Sequence, residues 1–549
     1  MLASVKMLLF KSPPSISTRP SHIILTLVVI GLFLHTYRIS HSQPQARTVS
    51  VQVEQLPEGN ASPEELYLGR LGRELSLTKE TSWVAWRIQA SEQSADWPSV
   101  TDVHLDFKSV STKTINLEQP DRRDLYAKKK MELPVPSSPM LGQTDSSDFL
   151  FGVSTTYNRI VHRDYAMVKA WARWFTDSRH RSNGASLVVV LDQAGSAQVE
   201  EVDNMLQASG IDCWVTTTEE PMSLARRYFE LSRILKTFAA NLAANGQDKR
   251  WFGLVEDDVF FPSLANLRER LYNYNTDGMH YIALPSERDD WEKDEDTLRT
   301  YGGGAIMLTR SAVARVPELP CFVMDGSNSG GPVRPKRWDG LLHGCILEHS
   351  EMDMHVLTGF YDPKDDNYDP STSSYENGLQ PLLLRRYEER HAIDINKAHL
   401  VTNVCGEYCF MQRYLFRDDW VLVNGISLSH YPEGVTVEAQ QQQQQQQQPE
   451  ATAKPEGVQT RADEEYGKLQ LPDRVILDGN GQEDVDRTAL KWTGSKDTWR
   501  LMDSALSKDG EVWQAYVKKA IVKPDTPEAE RMDSVIVLIW EHGKITMKS

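Results

Sequence analysis

Residues 251–258 read Trp251-Phe-Gly-Leu-Val-Glu-Asp-Asp258: an unbroken apolar run that ends in three carboxylates. Such a run suits a β-strand covered on both faces. Three carboxylates at the carboxyl end of a buried strand repel one another, and a cation there makes them tolerable. In open α/β sheets, ligands bind beyond the carboxyl ends of the strands. A hard divalent ion held by carboxylate oxygens can also grip a diphosphate. The competing reading is capping of the helix expected over 262–274, whose positive end favours nearby acids.

Working outward, strand and helix signals alternate. Short apolar or β-branched runs at 149–155, 186–192 and 213–216 predict strands, and 164–175 and 199–208 predict helices. Leu224, Tyr228, Leu231, Leu235, Phe238 and Leu242 recur at steps of three and four, one apolar face of a helix. The alternation predicts an α/β domain with a mostly parallel sheet sandwiched by helices. Near the C-terminus, 499–502, 511–517 and 534–540 read as three strands, with a Lys508-Asp-Gly510 turn between the first two. They predict a small β-meander appended to the main domain.

Composition limits the classes. The chain has 549 residues with 60 Lys+Arg and 77 Asp+Glu, a net charge of −17. That balance argues against a general nucleic-acid binder, which needs a basic field. Five cysteines are too few for a disulfide scaffold, and 14 Trp with 19 Tyr exclude disorder throughout. The segment 22–37, HIILTLVVIGLFLHTY, has no formal charge and follows Lys6, Lys11 and Arg19. Sixteen helical residues span about 24 Å, enough for a thin bilayer. It reads as an N-terminal transmembrane signal-anchor with a cytoplasmic N-terminus. A cleaved signal peptide and a buried core helix are the alternatives, and SHSQPQA is a poor cleavage site. The expected layout is a cytoplasmic tail (1–21), an anchor (22–37) and a stem (38–147) ending in a Pro/Ser linker. A catalytic domain (148–435), a Gln/Pro/Glu spacer (436–465) and a β-rich appendage (466–549) follow. In a secretory lumen, Cys321 with Cys345, or Cys405 with Cys409, are disulfide candidates.

Further stretches carry candidate chemistry. Tyr301-Gly-Gly-Gly-Ala-Ile brings Gly302, Gly303 and Gly304 before an apolar strand, where backbone can approach a ligand or form a turn. Trp338-Asp-Gly and Leu428-Ser-His-Tyr add Asp339 and His430. A lone His is more often structural than a ligand.

Together with Ser154-Thr-Thr-Tyr, His162-Arg163 and Tyr281-Ile-Ala-Leu-Pro-Ser-Glu287, these stretches make residues 149–432 resemble inverting glycosyltransferases of family 31, the Fringe-like group, and especially its fungal members. The end of the chain, from Asp497-Thr-Trp-Arg to Ile539-Trp540, is similar to the tail of that fungal group. The resemblance implies a GT-A-type fold, a nucleotide-diphosphate sugar donor (a UDP-sugar), a glycan or glycoprotein acceptor, and Mn²⁺. It implies a single-pass type II membrane enzyme of the Golgi or ER with its catalytic domain in the lumen. Asp258 would be the main metal ligand and His430 the second. Asp339 would be the catalytic base. Thr155, Arg163, Glu256, Asp257, Gly302, Gly303 and Gly304 would bind the donor. The triplet departs from the family in beginning with Glu, a side chain expected to face ribose or water, and one Asp339 stands where many relatives have paired acids. A catalytically inactive lumenal carbohydrate-binding protein on the same fold is the alternative. A metal-dependent hydrolase would need more clustered His ligands than this chain offers.

Overall fold

A computed structural model describes residues 61–542, except 94–99, 110, 178, 285–291, 295–296, 300–303, 322–337, 358–381, 386, 391–392, 440–474, 479–487 and 521–530. The anchor segment 22–37, the glutamine run, Gly302 and Gly303 lie outside the described residues. Among the described residues, no helix is long and apolar enough to cross a membrane.

The run at 251–255 is the strand Trp251–Val255, every residue buried. It lies inside an eight-stranded sheet. The order is Val475–Asp478, Met354–Leu357, Tyr281–Ala283, Ala305–Thr309, Trp251–Val255, Phe149–Thr155, Ser186–Leu191, Asp212–Thr217. Seven strands run one way, and Ala305–Thr309 alone is antiparallel to both its neighbours. This is the mostly parallel α/β sheet expected. Apolar side chains cover both faces. Phe149, Phe151 and Val153 point into one core, and Leu150, Phe252 and Leu254 into another with Tyr228, Leu231 and Trp338.

The predicted amphipathic helix is Leu224–Ala244, capped by Ser223, whose hydroxyl accepts the Arg226 amide. It seats closely because Gly152 leaves room: a Cβ there would lie 3.0 Å from Leu231 Cγ. The helix Tyr157–Phe175 follows the first strand of this sheet and is interrupted at His162–Tyr165. There Arg163, Asp164 and Tyr165 take left-handed φ values of 48°, 53° and 57°.

A second, ten-stranded sheet departs from the sequence reading. It joins Glu80–Gln93, Val100–Val103, Lys113–Asn116 and Lys130–Pro136, all from the expected stem, to Arg413–Phe416, Trp420–Val423 and Ser427–His430. The predicted meander, Asp497–Leu506, Val512–Lys518 and Asp533–Glu541, completes it. Glu80–Gln93 pairs in parallel with Asp533–Glu541, Trp83 opposite Val535. One face of this sheet, with Trp86, Ile88, Tyr516 and Trp540, shares the core of the first sheet. The other, with Trp83, Trp513 and Val537, is covered by the helix Pro63–Glu74 through Tyr67, Leu68 and Leu71. The boundaries expected at 147/148 and 435/466 therefore run through one continuous sheet. Burial of Trp83, Trp86, Trp513 and Trp540 explains why: each removes a large apolar surface from water. The two cysteine pairs of the sequence, Cys321–Cys345 and Cys405–Cys409, are both joined as disulfides.

Candidate active site at the acidic triplet

Glu256, Asp257 and Asp258 leave the strand Trp251–Val255 at its carboxyl end, and the Glu256 amide donates to the Gly304 carbonyl at 2.8 Å. They do not cap the next helix. Ser263 does that for Leu264–Leu271, accepting the Asn266 amide at 3.1 Å. Each acid has its own surroundings. Glu256 Oε1 accepts the Trp338 indole N–H at 2.7 Å, and Oε2 accepts Arg385 Nε at 2.6 Å. Asp257 is held bidentately by Arg159, Nε to Oδ2 at 2.6 Å and Nη2 to Oδ1 at 2.7 Å, and also accepts the Thr155 hydroxyl. Such fork-on-carboxylate pairs fix orientation as well as charge. Asp258 Oδ2 lies 3.7 Å from Arg159 Nη2.

Local sequence explains these placements. Thr156 caps the helix after the first strand of the parallel sheet, so Arg159 falls in its first turn, above the triplet. The two-residue strand Leu384–Arg385 pairs with Val259–Phe260, setting Arg385 opposite Val259. Gly304, at φ 98°, lets it pass: a Cβ there would meet Arg385 Cδ at 2.9 Å. Trp338 stacks on Tyr228 with ring centroids 3.9 Å apart, and the Tyr228 hydroxyl donates to the Val255 carbonyl at 2.8 Å. At the end of Ser186–Leu191, two strands along from Trp251–Val255, Asp192 pairs with Arg227, which also donates to Ser154 Oγ at 2.9 Å.

Among the described residues, three carboxylates face two guanidiniums, Arg159 and Arg385, an excess of negative charge. The excess falls on Asp258. Burial, then the charges of Glu256 and Asp257, push its carboxyl up to about 7, against the pull of Arg385 and Arg159. A buried carboxylate with like charges beside it is a place where a cation can bind favourably.

The structure brings Thr155, Glu256, Asp257, Asp258 and Gly304 together; His430, Asp339 and Arg163 each have neighbours of their own. His430 ends the strand Ser427–His430 in the ten-stranded sheet, opposite Trp420 and Asp497, its ring stacked on Trp420 at 4.9 Å. Burial and Lys108 lower its pKa, opposed by Asp497, Asp418 and Asp419. None of the triplet is among those charges. Among the described residues, no group of three or more His, Cys, Asp or Glu side chains could hold a metal. Asp258 thus offers a single carboxylate toward a cation, and no cluster of such ligands assembles around it among the described residues. Asp339 is fully buried, and its charge is felt by Tyr281 in the core of the sheet. One residue along a helix rotates direction by about 100°, so Trp338 reaches Glu256 while Asp339 turns inward. Arg163 lies in the left-handed turn, half-exposed or more, and pairs with Glu388. Sequence reasoning missed Arg159, Arg227 and Arg385. Only Arg159 left a signal, its place three residues beyond the capping Thr156.

No family model matches the chain, and no curated protein matches it. Solved structures similar to parts of it include the glycosyltransferase GlyE of Streptococcus pneumoniae TIGR4, at 8% identity over 40% of this chain and 46% of that one, TM-score 0.25. A glycosyltransferase involved in glycosylation of the major capsid of PBCV-1 is similar at 10% identity over 43% and 92% of the two chains, TM-score 0.22. The mannosyltransferase PcManGT of Pyrobaculum calidifontis, in complex with GDP-Man and Mn²⁺, is similar at 11% identity over 34% and 50%, TM-score 0.20. The chain spans about half the length of the first. Overlaps this slight carry no argument about what the chain does.

Proposed function

We propose that this chain is a glycosyltransferase of the family 31 type, moving a sugar from a nucleoside-diphosphate sugar to a glycan or glycoprotein hydroxyl with inversion. The observation that carries the reading is Asp258. A carboxylate is held at the carboxyl end of the central parallel strand, under the charges of two neighbours, where a diphosphate with its counter-cation would sit. A divalent ion held by Asp258, with the donor's own oxygens and water as its other ligands, would neutralise charge developing on the leaving diphosphate. Arg159 and Thr155 hold Asp257, and Arg227 holds Asp192 at the end of the strand Ser186–Leu191. Inversion follows from a single displacement: the acceptor hydroxyl attacks the anomeric carbon and gives its proton to a general base, while the bond to the diphosphate oxygen breaks and the nucleoside diphosphate leaves.

We place the enzyme in the Golgi or ER membrane as a single-pass type II protein with its folded part in the lumen. The uncharged segment 22–37 and the two disulfides support that placement. The second reading, an inactive carbohydrate-binding protein, is favoured by the burial of Asp339. One experiment separates them. The purified lumenal part is incubated with UDP-glucose, UDP-galactose, UDP-N-acetylglucosamine and GDP-mannose, with Mn²⁺ or EDTA, and released nucleoside diphosphate is measured alongside binding. Mn²⁺-dependent release supports the transferase. Carbohydrate binding without release from any donor supports the alternative, and neither activity refutes both.

A further inference from the structure

Both oxygens of Glu256 are engaged by protein donors drawn from distant parts of the chain. Trp338 opens the helix Trp338–His349, and Arg385 belongs to the short strand Leu384–Arg385. All three side chains are largely buried, Arg385 at 6% and Glu256 at 13% side-chain exposure. The connection closes on itself. The Val255 carbonyl accepts from Tyr228, Tyr228 stacks on Trp338, and Trp338 donates to Glu256, the next residue after Val255. Arg385 in turn lies across the backbone of Gly304, whose carbonyl accepts the Glu256 amide. A side chain spent in this way is not aimed at the donor's ribose, the role the family resemblance implies for this position. The extra methylene of Glu over Asp has a physical reason: it carries the carboxylate to two partners on separate elements at 2.7 Å and 2.6 Å.

We infer that Glu256 is a positioning residue, which fixes Trp338 and Arg385 against the reacting centre instead of contacting the donor. The inference rests on the transferase reading above. Its consequence is a separation of binding from turnover. Shortening the side chain moves Trp338 and Arg385 while Asp257 keeps its Arg159 and Thr155 contacts. Misplacement of groups around a reacting centre by about 1 Å can cost on the order of a hundredfold in rate. Because the Glu256–Arg385 pair is buried, removing one charge strands the other, whereas removing both does not.

The test measures three quantities in the wild type, Glu256→Asp, Glu256→Gln, Arg385→Gln and the double variant Glu256→Gln/Arg385→Gln. They are UDP and GDP affinity with Mn²⁺, kcat with the donor found by the screen, and melting temperature. Glu256→Asp is expected to keep nucleotide affinity within about twofold, the usual additivity error, while kcat falls by at least about tenfold, as expected for displaced groups. The double variant, which is charge-balanced and keeps the fold where a single one fails, is expected to exceed either single change in both stability and kcat. The inference is overturned if nucleotide affinity falls as far as kcat in Glu256→Asp, because the side chain then touches the donor. It is equally overturned if the double variant shows the full product of the single losses, because the two residues then act independently. Should neither nucleotide bind the wild type, the transferase reading itself fails, and the inference with it.

Discussion

Replacing Asp258 by Asn should make the metal-free protein more stable while removing its cation-dependent nucleotide binding. Asp258 titrates near 7 in the folded chain instead of at its ordinary 3.8, because it is buried beside Glu256 and Asp257. At 1.36 kcal/mol for each tenfold change in acidity, that rise corresponds to about 4 kcal/mol held against folding once Asp258 is ionised. The sign follows from proton binding. A carboxyl whose folded pKa is raised binds more protons folded than unfolded, so its favourable contribution is present below 3.8 and is lost as pH rises through 7. Asparagine cannot ionise and escapes the loss. Its gain over wild type should therefore be largest at pH 8 and smaller at pH 5 by roughly 2–3 kcal/mol, less whatever hydrogen bonding the amide fails to reproduce. The assay is thermal unfolding of both proteins in EDTA at pH 5 and pH 8. UDP titration at pH 8, with and without Mn²⁺, completes it. The variant should melt several degrees higher at pH 8, with a smaller difference at pH 5, and Mn²⁺ should no longer strengthen UDP binding. An equal stability difference at both pH values would refute the electrostatic reasoning, and an undiminished Mn²⁺ effect would remove the cation from Asp258.

Three further outcomes are expected. Asp339→Asn, at a fully buried position near Tyr281, should lower stability by about 1–3 kcal/mol and kcat by less than the 10²–10⁴-fold of a lost general base. Collapsed turnover at an unchanged melting temperature would instead restore Asp339 as the base. A chain of residues 148–549 should be insoluble or far less stable than 61–549, because Glu80–Gln93 forms the parallel ladder with Asp533–Glu541; equal melting temperatures would contradict this. His399 donates from Nε2 toward the Pro262 carbonyl at 2.9 Å, accepts Arg173 at Nδ1, and is held well below its ordinary pKa by burial and by the Arg173 charge. The folded state then binds fewer protons there than the unfolded one, so stability falls as pH drops below 6.5, by up to about tenfold in the unfolding constant per pH unit. His399→Gln should flatten that acid slope in melting curves between pH 5.5 and 7.5, and an identical slope in both proteins would rule the residue out as its source.

What the sequence disclosed and what it hid divide along one physical line. The strands Phe149–Thr155, Ser186–Leu191 and Trp251–Val255 were legible as local apolar runs and the helix Leu224–Ala244 by its period, each within a few residues. The acidic triplet was legible for the same reason: its charge sits directly after a buried run. Its partners were not. Arg159 is 98 residues from Asp257 and Arg385 is 129 from Glu256, and neither stands out in its local pattern. The strand Glu80–Gln93 contains Trp83 and Trp86, an apolar signal set in polar surroundings that read as a stem. Its partner strand begins at Asp533, and a parallel pairing of the first long strand with the last leaves no turn signal to find. His430 was misplaced for a related reason. The sequence does not show that the ladder of Ser427–His430 between Trp420–Val423 and Asp497–Leu506 sets its ring on Trp420. Asp339 shows the limit at single-residue scale. A motif fixes that Trp338 and Asp339 are neighbours, whereas the helix that starts there decides which one faces the triplet, and it is Trp338 that reaches Glu256. The chemistry of this site is therefore decided by which elements converge on the carboxyl end of Trp251–Val255. Glu256 is the residue through which two of them are joined.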